Sequence, residues 1–359
     1  MNRRGVFALL TLTLLLATSR PVWAQSSWGI GVLPNGSIFF CDRGRNAVWR
    51  ISPDGRQTTV LKGVTCRAVV SGPDGSIYGE ATPSELTAAR GVGLWRIDAR
   101  GLHQWIMPLT RNPDVGAGLA RDEDGRQYGW TGIGVGSPQS EIIQRDPSGA
   151  VVVVAGGARG QRDGAGRAAA LGNVAGLALA PDGSVVVADT GNIRRISRLH
   201  TVRTEATGVI TDSHLGLTTI AGLWGRELGV ATDASGAAVV VDPEAGRIVH
   251  VDRAGHATPI WEPAGVSQRI SGGRWGWRPT GVAMLGRTYY VLDEWMGPAI
   301  IADLIGSPRL SQVDADGRVT RIAAIADWTV RAAAAALCIV AVSAVWARRR
   351  RRASTRPPL

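Results

Sequence analysis

The stretch "PDGSVVVADTGNIRRIS" (residues 181–197) contains a short apolar strand between two tight turns. Asp182 and Gly183 form a dipeptide that favours a turn, and Gly191 with Asn192 forms a second one. Two short strands joined by such a turn predict an antiparallel β-hairpin. Because an isolated hairpin is barely stable in water, related strands should lie elsewhere in the chain.

Similar turns recur along the sequence at intervals of about 50 residues. The glycines of the first set are Gly36, Gly75, Gly125, Gly183, Gly236 and Gly286. A second set of turns follows within each unit, at Gly55, Gly101, Gly149, His200, Gly255 and Gly317. Each unit therefore contains four short strands, and almost no helical periodicity is present in the body of the chain. This pattern predicts an all-β, six-bladed β-propeller over residues 25–327, with no exchange of strands between the first and last blades.

Residues 1–24 have the layout of a secretory signal peptide. Two arginines precede an apolar run, and Val22-Trp23-Ala24 precedes the expected cleavage point. An uncleaved membrane anchor is the alternative interpretation.

Residues 328–347 are predicted to form a single transmembrane helix. The apolar segment lies between Trp328 and Trp346, and five consecutive arginines (348–352) begin the tail 348–359. Such tails remain in the cytoplasm under the positive-inside rule, which predicts an extracytoplasmic body on the periplasmic side of a bacterial membrane. A processed sorting signal is the alternative for this end of the chain.

The formal charge of +11 does not indicate a nucleic-acid-binding protein. Ten of the 40 basic residues lie in the two ends, whereas all 29 acidic residues lie between them. The body is therefore nearly neutral, and we expect no nucleic-acid partner.

Cys41 and Cys66 both fall in the predicted exported body. An oxidising compartment would favour a disulfide between them. Two separate buried cysteines, each acting as a small apolar residue, are the alternative.

Residues 155–197 resemble an NHL repeat. The matching elements are an Asp-Gly-x-Gly stretch at 163–166, a Gly-Leu-Ala strand at 176–178 and a Val-Ala-Asp-x-x-Asn element at 187–192. The resemblance implies a six-bladed propeller in a family whose members more often bind than catalyse.

The longest connections between predicted strands contain a group of tryptophans and arginines. Long loops on a rigid scaffold often carry binding sites, and these two residue types are frequent in such sites. The candidate ligand-binding residues are Trp224, Trp261, Arg274, Trp275, Trp277 and Trp295. Tryptophans that cap the propeller core are the alternative interpretation.

Carboxylates end most of the predicted second strands. They are Asp42, Glu80, Asp189, Asp242 and Asp293, with Trp130 in the corresponding place of the third unit. A ring of carboxylates is a candidate site for a divalent cation such as calcium. The alternative, which the repetition favours, is that each accepts hydrogen bonds from its own turn.

Enzymatic motifs are weak in this sequence. The architecture resembles the gluconolactonase and regucalcin type, but Ala175 stands where that type has a metal-binding asparagine. The virginiamycin B lyase type, another enzyme class with a related propeller, uses histidines, whereas the histidines here fall mostly near predicted turns. We therefore expect a binding or scaffolding module for a protein or small-molecule ligand, without a cofactor. The alternative is a metal-dependent hydrolase of the lactonase type.

Overall fold

The computed structural model describes residues 29–42, 45–72, 74–83, 92–110, 117–131, 140–211, 228–243, 245–261, 276–296 and 308–324. These residues form six antiparallel blades arranged as an all-β, six-bladed β-propeller. The strand alternation read from the paired turns is therefore confirmed at the level of the fold.

The first three blades each contain four strands in chain order. Blade 1 contains β1 (Ile30–Val32), β2 (Ile38–Asp42), β3 (Ala47–Ile51) and β4 (Gln57–Lys62). Blade 2 contains β5 (Val64–Ser71), β6 (Ile77–Pro83), β7 (Val92–Ile97) and β8 (His103–Thr110). Blade 3 contains β9 (Ala117–Arg121), β10 (Gln127–Thr131), β11 (Glu141–Arg145) and β12 (Val151–Gly156).

The segment between blades 3 and 4 has secondary structure of its own. It contains β13 (Ala158–Arg159), β14 (Gly164–Ala165), a 3-10 helix (Gly166–Ala168) and β15 (Ala170–Leu171). β13 pairs with β15 in parallel, and β14 adds a fifth strand to the outer edge of blade 4.

The last three blades repeat the four-stranded plan. Blade 4 contains β16 (Val174–Leu179), β17 (Val185–Asp189), β18 (Asn192–Ile196) and β19 (Thr201–Ala206). Blade 5 contains β20 (Val230–Thr232), β21 (Ala238–Asp242), β22 (Arg247–Val251) and β23 (Ala257–Trp261). Blade 6 contains β24 (Gly276–Leu285), β25 (Thr288–Met296), β26 (Arg309–Val313) and β27 (Val319–Ala324).

The first strands of the blades lie side by side around the centre, and β24 lies beside β1 to close the ring. Each sheet takes its four main strands from one consecutive stretch of chain, so blades 1 and 6 exchange no strand among the described residues. Glycine permits this close approach. A Cβ atom on Gly229 would lie 2.7 Å from the Cα atom of Gly281 in the neighbouring blade.

The predicted turns adopt the backbone conformation that glycine tolerates best. The first-set glycines have φ between 60° and 80°, in the left-handed region. His200 has φ 60° at the position that glycine holds in the second turns of the other blades. All these turns join first to second or third to fourth strands, and we call the side of the propeller that holds them the turn face. The opposite side, which holds the remaining connections, is the loop face.

The second strand of every blade makes five residue pairs with the third strand. In β2, β17 and β21 every residue is buried, so both sides of these strands contribute to the core. Phe39 packs with residues of blade 2, whereas Phe40 packs with residues of blade 6. Burial of one such side chain contributes about 1.5–3 kcal/mol, and the apolar contacts between blades therefore stabilise the ring.

Cys41 and Cys66 form a disulfide in the structure. Their Cα atoms are 5.5 Å apart, and the bond joins β2 of blade 1 to β5 of blade 2. Both cysteines are buried. The bond lies beside Gly29, where a Cβ atom would lie 2.8 Å from the Cys41 sulfur.

The two ends of the chain, with the predicted signal peptide 1–24 and the predicted membrane helix 328–347, lie outside the described residues. Within the described residues, no helix has the length and apolar character needed to cross a bilayer.

Candidate functional site

At the loop-face end of each blade, the second strand contributes one residue to the fifth and last pair that it makes with the third strand. Four of the six blades have an aspartate there, namely Asp42, Asp189, Asp242 and Asp293. The prediction that Glu80 and Trp130 occupy equivalent places is wrong by one residue. The fifth pairs of blades 2 and 3 belong to Ala81 and Thr131, so Glu80 and Trp130 point to the other side of their sheets.

Each of the four aspartates forms an ion pair with an arginine of its own blade. The nitrogen–oxygen distances are 3.0 Å for Asp42–Arg45, 3.0 Å for Asp189–Arg194, 3.3 Å for Asp242–Arg247 and 3.1 Å for Asp293–Arg309. All four carboxylates are almost completely buried. A buried carboxylate needs such a partner, because removal of its charge from water is costly.

In blades 1 and 5, backbone and side-chain donors complete the shell of the aspartate. Asp42 also accepts hydrogen bonds from the Arg45 backbone N–H at 3.1 Å and from Trp49 Nε1 at 3.2 Å. Asp242 accepts from the backbone N–H and the hydroxyl of Thr211, at 3.1 and 3.0 Å, and from the Ala245 N–H at 3.2 Å. Both aspartates thus bond to their own following turn, as the structural interpretation of the sequence predicts.

Blade 4 has the most extensive network, although the buried Nε atom of Arg194 has no hydrogen-bond partner among the described residues. Arg194 is fully buried and donates from Nη1 to Asp189 and from Nη2 to Asp163 at 2.8 Å. It also donates to the carbonyl oxygens of Arg162 and Ala170, at 2.9 and 2.7 Å. Arg194 therefore fastens the connection between blades 3 and 4 onto blade 4.

The other ends of this network are also bonded. Asp189 accepts from the Gly172 N–H at 2.8 Å and from the Thr190 hydroxyl at 3.0 Å. Asp163 accepts from the backbone N–H and the hydroxyl of Thr204, both at 2.9 Å. The residues behind the NHL-like pattern thus have a clear structural role.

Asp293 in blade 6 differs from the other three aspartates. Among the described residues its only hydrogen-bond donor is Arg309 Nε, which contacts Oδ2, and Oδ1 is buried without a partner. Burial raises the pKa of Asp293 to about 6, although the positive charge of Arg309 acts in the opposite direction. Burial also raises the pKa of Asp42 and of Asp189, which have more donors.

Arg309 is held from a second side by an aromatic ring. Its guanidinium carbon lies 3.7 Å from the centroid of the Trp277 ring, a cation–π contact. Burial lowers the pKa of Arg309, and Asp293 partly offsets that effect. Trp277 is half-buried, and the Arg309 side chain is 13% exposed. An aromatic ring, a guanidinium and an incompletely bonded carboxylate thus meet at the loop face of blade 6.

Three of the candidate tryptophans, Trp261, Trp277 and Trp295, are in strands rather than in loops. Trp277 belongs to β24 and pairs with Trp295 of β25, because both strands extend further toward the loop face than the sequence pattern indicates. Trp261 is 7% exposed and packs among apolar residues of blades 5 and 6, as the alternative interpretation of core-capping tryptophans predicts for this residue. Trp224, Arg274 and Trp275 lie outside the described residues.

The sequence interpretation did not include the arginine partners. Arg247 stands directly opposite Asp242, and Arg309 stands directly opposite Asp293. Asp242 and Arg247 are only five residues apart across a predicted hairpin turn, so the sequence alone indicates that they face each other. The 16-residue separation of Asp293 and Arg309 hides the same relation in blade 6.

The predicted carboxylates are a poor fit to a calcium site. An arginine already occupies one side of each of the four aspartates, and its charge would repel a cation. Within the part of the chain that the structure describes, no three His, Cys, Asp or Glu side chains are placed to hold a metal ion together. Position 175, where the gluconolactonase type has a metal-binding asparagine, holds an alanine. Its backbone oxygen accepts a hydrogen bond from the Leu228 N–H at 2.6 Å.

Two of the histidines are paired with aspartates at the turn face. His250 Nε2 lies 3.0 Å from Asp233, and His256 Nδ1 lies 3.0 Å from Asp252. These contacts join residues of blade 5 and lie far from the loop-face end of the strands, so they do not extend the blade 6 site.

No protein-family model matches the sequence, and no curated protein is significantly similar to it. Solved structures with the same fold exist. A structural-genomics protein of unknown function from Bacteroides thetaiotaomicron has a TM-score of 0.52 at 14% identity, over 75% of this chain and 67% of that one. A gluconolactonase from Xanthomonas campestris has a TM-score of 0.50 at 14% identity, over 77% and 85% of the two chains. Virginiamycin B lyase from Staphylococcus aureus has a TM-score of 0.46 at 14% identity, over 84% and 85%. At these identities the similarity is one of fold.

Proposed function

We propose that this protein is a binding propeller that takes a protein or small-molecule ligand at the loop face of blade 6. The observation that carries the proposal is the contact of Arg309 with Trp277 beside the incompletely bonded Asp293. Arginine and tryptophan are the residue types that contribute most to recognition sites. Of the four equivalent aspartates, Asp293 has the fewest donors among the described residues, so its site is the one that a ligand can complete.

The proposed setting is extracytoplasmic. A cleaved signal peptide at residues 1–24 and a membrane helix at residues 328–347 would tether the propeller on the periplasmic side, with the basic tail in the cytoplasm. The buried Cys41–Cys66 disulfide supports this setting, because disulfides persist in oxidising compartments.

A metal-dependent hydrolase of the lactonase type is the alternative. The fold is compatible with it, since a gluconolactonase has this architecture. The arginine partners of the four aspartates count against it, because a divalent cation would have to displace them.

Photocrosslinking in the full-length protein tests the binding proposal. A benzophenone amino acid at position 245, in the blade 5 turn whose Pro243 carbonyl accepts a hydrogen bond from Arg278 of blade 6, should give an adduct in native membranes or in a small-molecule screen. Arg309→Gln should abolish that adduct. The matched position is 199 on the turn face, where Leu199 is 87% exposed. Equal labelling from both positions, or labelling that Arg309→Gln leaves unchanged, would contradict the proposal.

The hydrolase alternative has its own test. The purified full-length chain is incubated with calcium, manganese or zinc and assayed for metal content and for hydrolysis of a sugar lactone. We expect neither a bound metal nor turnover. Metal-dependent turnover that Asp242→Asn or Asp293→Asn removes would favour the hydrolase.

A further inference from the structure

We propose that Arg309 binds an oxyanion, either a carboxylate or a phosphate, and that Asp293 takes up a proton from solvent when the oxyanion binds. This inference rests on the binding site proposed above and names the chemistry of its ligand. It comes from the unequal bonding of the two residues, with one carboxylate oxygen and one side of the guanidinium lacking partners among the described residues.

The guanidinium of Arg309 is oriented but not saturated. Its Nε donates to Asp293 Oδ2 at 3.1 Å, and its flat face lies 3.7 Å from the Trp277 ring centroid. Among the described residues, none accepts a hydrogen bond from its two terminal nitrogens. The terminal nitrogens of a guanidinium present parallel donors that match two oxygens of a carboxylate or phosphate. Arg309 is therefore prearranged for an oxyanion on its exposed side.

The charges around Arg309 favour an anion once Asp293 is neutral. Arg321 of β27 lies close enough to act electrostatically on both Asp293 and Arg309. On β24, Arg278 Nη1 donates to the Pro243 carbonyl of blade 5 at 3.2 Å. Asp242 and Arg247 of blade 5 compensate each other. Glu294 of β25 pairs with Arg278 in the ladder between β24 and β25.

Ionised Asp293 cancels the charge of Arg309, and protonated Asp293 does not. The proton belongs on Oδ1, because Oδ2 faces the guanidinium. Burial raises the pKa of this carboxyl to about 6, so a mildly acidic solution supplies the proton. By linkage, an oxyanion that binds the protonated form must in turn favour protonation by the same factor.

Calorimetric titration of the full-length protein with sulfate tests this coupling, because sulfate remains a dianion between pH 5.0 and 7.5. If only the protonated form binds, the apparent affinity follows the protonated fraction of a group with a pKa of about 6. The affinity at pH 5.0 should then exceed that at pH 7.5 by about 30-fold. Titrations in buffers of different ionisation enthalpy should show uptake of about one proton at pH 7.5.

Variants separate the two residues. Asp293→Asn should bind sulfate with little dependence on pH, because its side chain is neutral throughout. Arg309→Gln should lose binding, and Arg309→Lys should retain weaker binding because it keeps the charge without the paired donors. The matched controls are Asp242→Asn and Arg247→Gln, which alter the equivalent pair of blade 5 and should leave sulfate binding unchanged. Near-ultraviolet circular dichroism checks that each variant is folded.

The inference is wrong if folded Arg309→Gln binds sulfate like the wild type, or if Asp293→Asn keeps the wild-type pH dependence. It is also wrong if wild-type protein shows no sulfate binding at pH 5.0. In that last case an Arg309-dependent crosslink at position 245 would still support a binding site for a ligand without an oxyanion. Soluble dihexanoyl phosphatidylglycerol below its micellar concentration, compared with sulfate, distinguishes a lipid headgroup from a free anion: tighter binding of the lipid identifies the headgroup as the source.

Discussion

The loop-face ends of blades 4 and 6 share an aspartate–arginine pair but differ in the other partners of that pair. In both, an aspartate at the fifth pair of the ladder bonds to an arginine of the third strand. In blade 4 the arginine is fully buried and bonds to four acceptors, and its aspartate has donors besides it. In blade 6 the aspartate has one donor among the described residues, and the arginine lies against a tryptophan.

This difference distinguishes an ion pair in which both carboxylate oxygens have partners from one in which a carboxylate oxygen has none among the described residues. Repetition of an aspartate in four of the six blades indicates a structural role, because each of the four is paired with an arginine of its own blade. A buried carboxylate that lacks donors costs free energy, and fold stability alone gives no reason to keep it. The exception within a repeated set, rather than the set itself, is therefore the better candidate for function.

The largest expected effect comes from Arg194→Met, which breaks the blade 4 network. The substitution keeps much of the side-chain length but leaves the buried Asp189 and the partly exposed Asp163 without their shared cation. Loss of one partner of a buried ion pair costs about 3–5 kcal/mol. Urea unfolding followed by circular dichroism measures the free energy of unfolding.

Arg309→Met is the matched variant in blade 6. Asp293 can become protonated when Arg309 is removed, since its pKa is already about 6, so a smaller loss is expected. If the two variants lose equal stability at pH 6, the two blade ends do not differ as described.

The six-bladed fold could be predicted from the sequence because it depends on local turn chemistry. Gly36 lies in the first blade and Gly286 in the last, and both have the positive φ that their turns require. The blade 4 network could not be predicted in the same way. Arg194 reaches Asp163 across 31 residues, and no spacing rule reports that contact. Glu80 was misplaced because a one-residue change of register moves a side chain to the other side of a sheet.

A second large effect is expected from the disulfide. It joins blades 1 and 2 by a covalent bond, whereas ion pairs of Arg194 attach the connection between blades 3 and 4 to blade 4. Cys41 and Cys66 are 25 residues apart in the chain. In the chain-entropy account, a loop of that size contributes about 3.5 kcal/mol. Cys41→Ala with Cys66→Ala should lower the urea midpoint, and the reductant dithiothreitol should reproduce the shift in wild-type protein but not in the variant. A midpoint that neither treatment changes would contradict this account.

The pH dependence of Asp293→Asn gives a smaller effect with a defined sign. The pKa of Asp293 is raised from 3.8 to about 6, so the folded state holds the proton more tightly than the unfolded state. The stability from this group is fully present below pH 3.8 and is lost as the pH rises through about 6. Relative to Asp293→Asn, wild-type protein should therefore lose about 2 kcal/mol of stability between pH 4.5 and 7.5. A difference that stays constant, or rises with pH, would show that Asp293 titrates normally.

The smallest effect concerns the Trp277 ring that contacts Arg309. It tests whether this ring orients Arg309 in blade 6, as hydrogen bonds orient Arg194 in blade 4. Trp277→Leu keeps an apolar side chain but removes the aromatic face 3.7 Å from the guanidinium. A cation–π contact at a half-buried position contributes about 1 kcal/mol. Trp277→Phe keeps an aromatic ring and should lose less. The interaction itself is measured by a double-mutant cycle with Arg309→Met, because the loss from Trp277→Leu should largely vanish once the guanidinium is absent. If the two losses simply add, Trp277 stabilises blade 6 by packing alone and Arg309 is oriented only by Asp293.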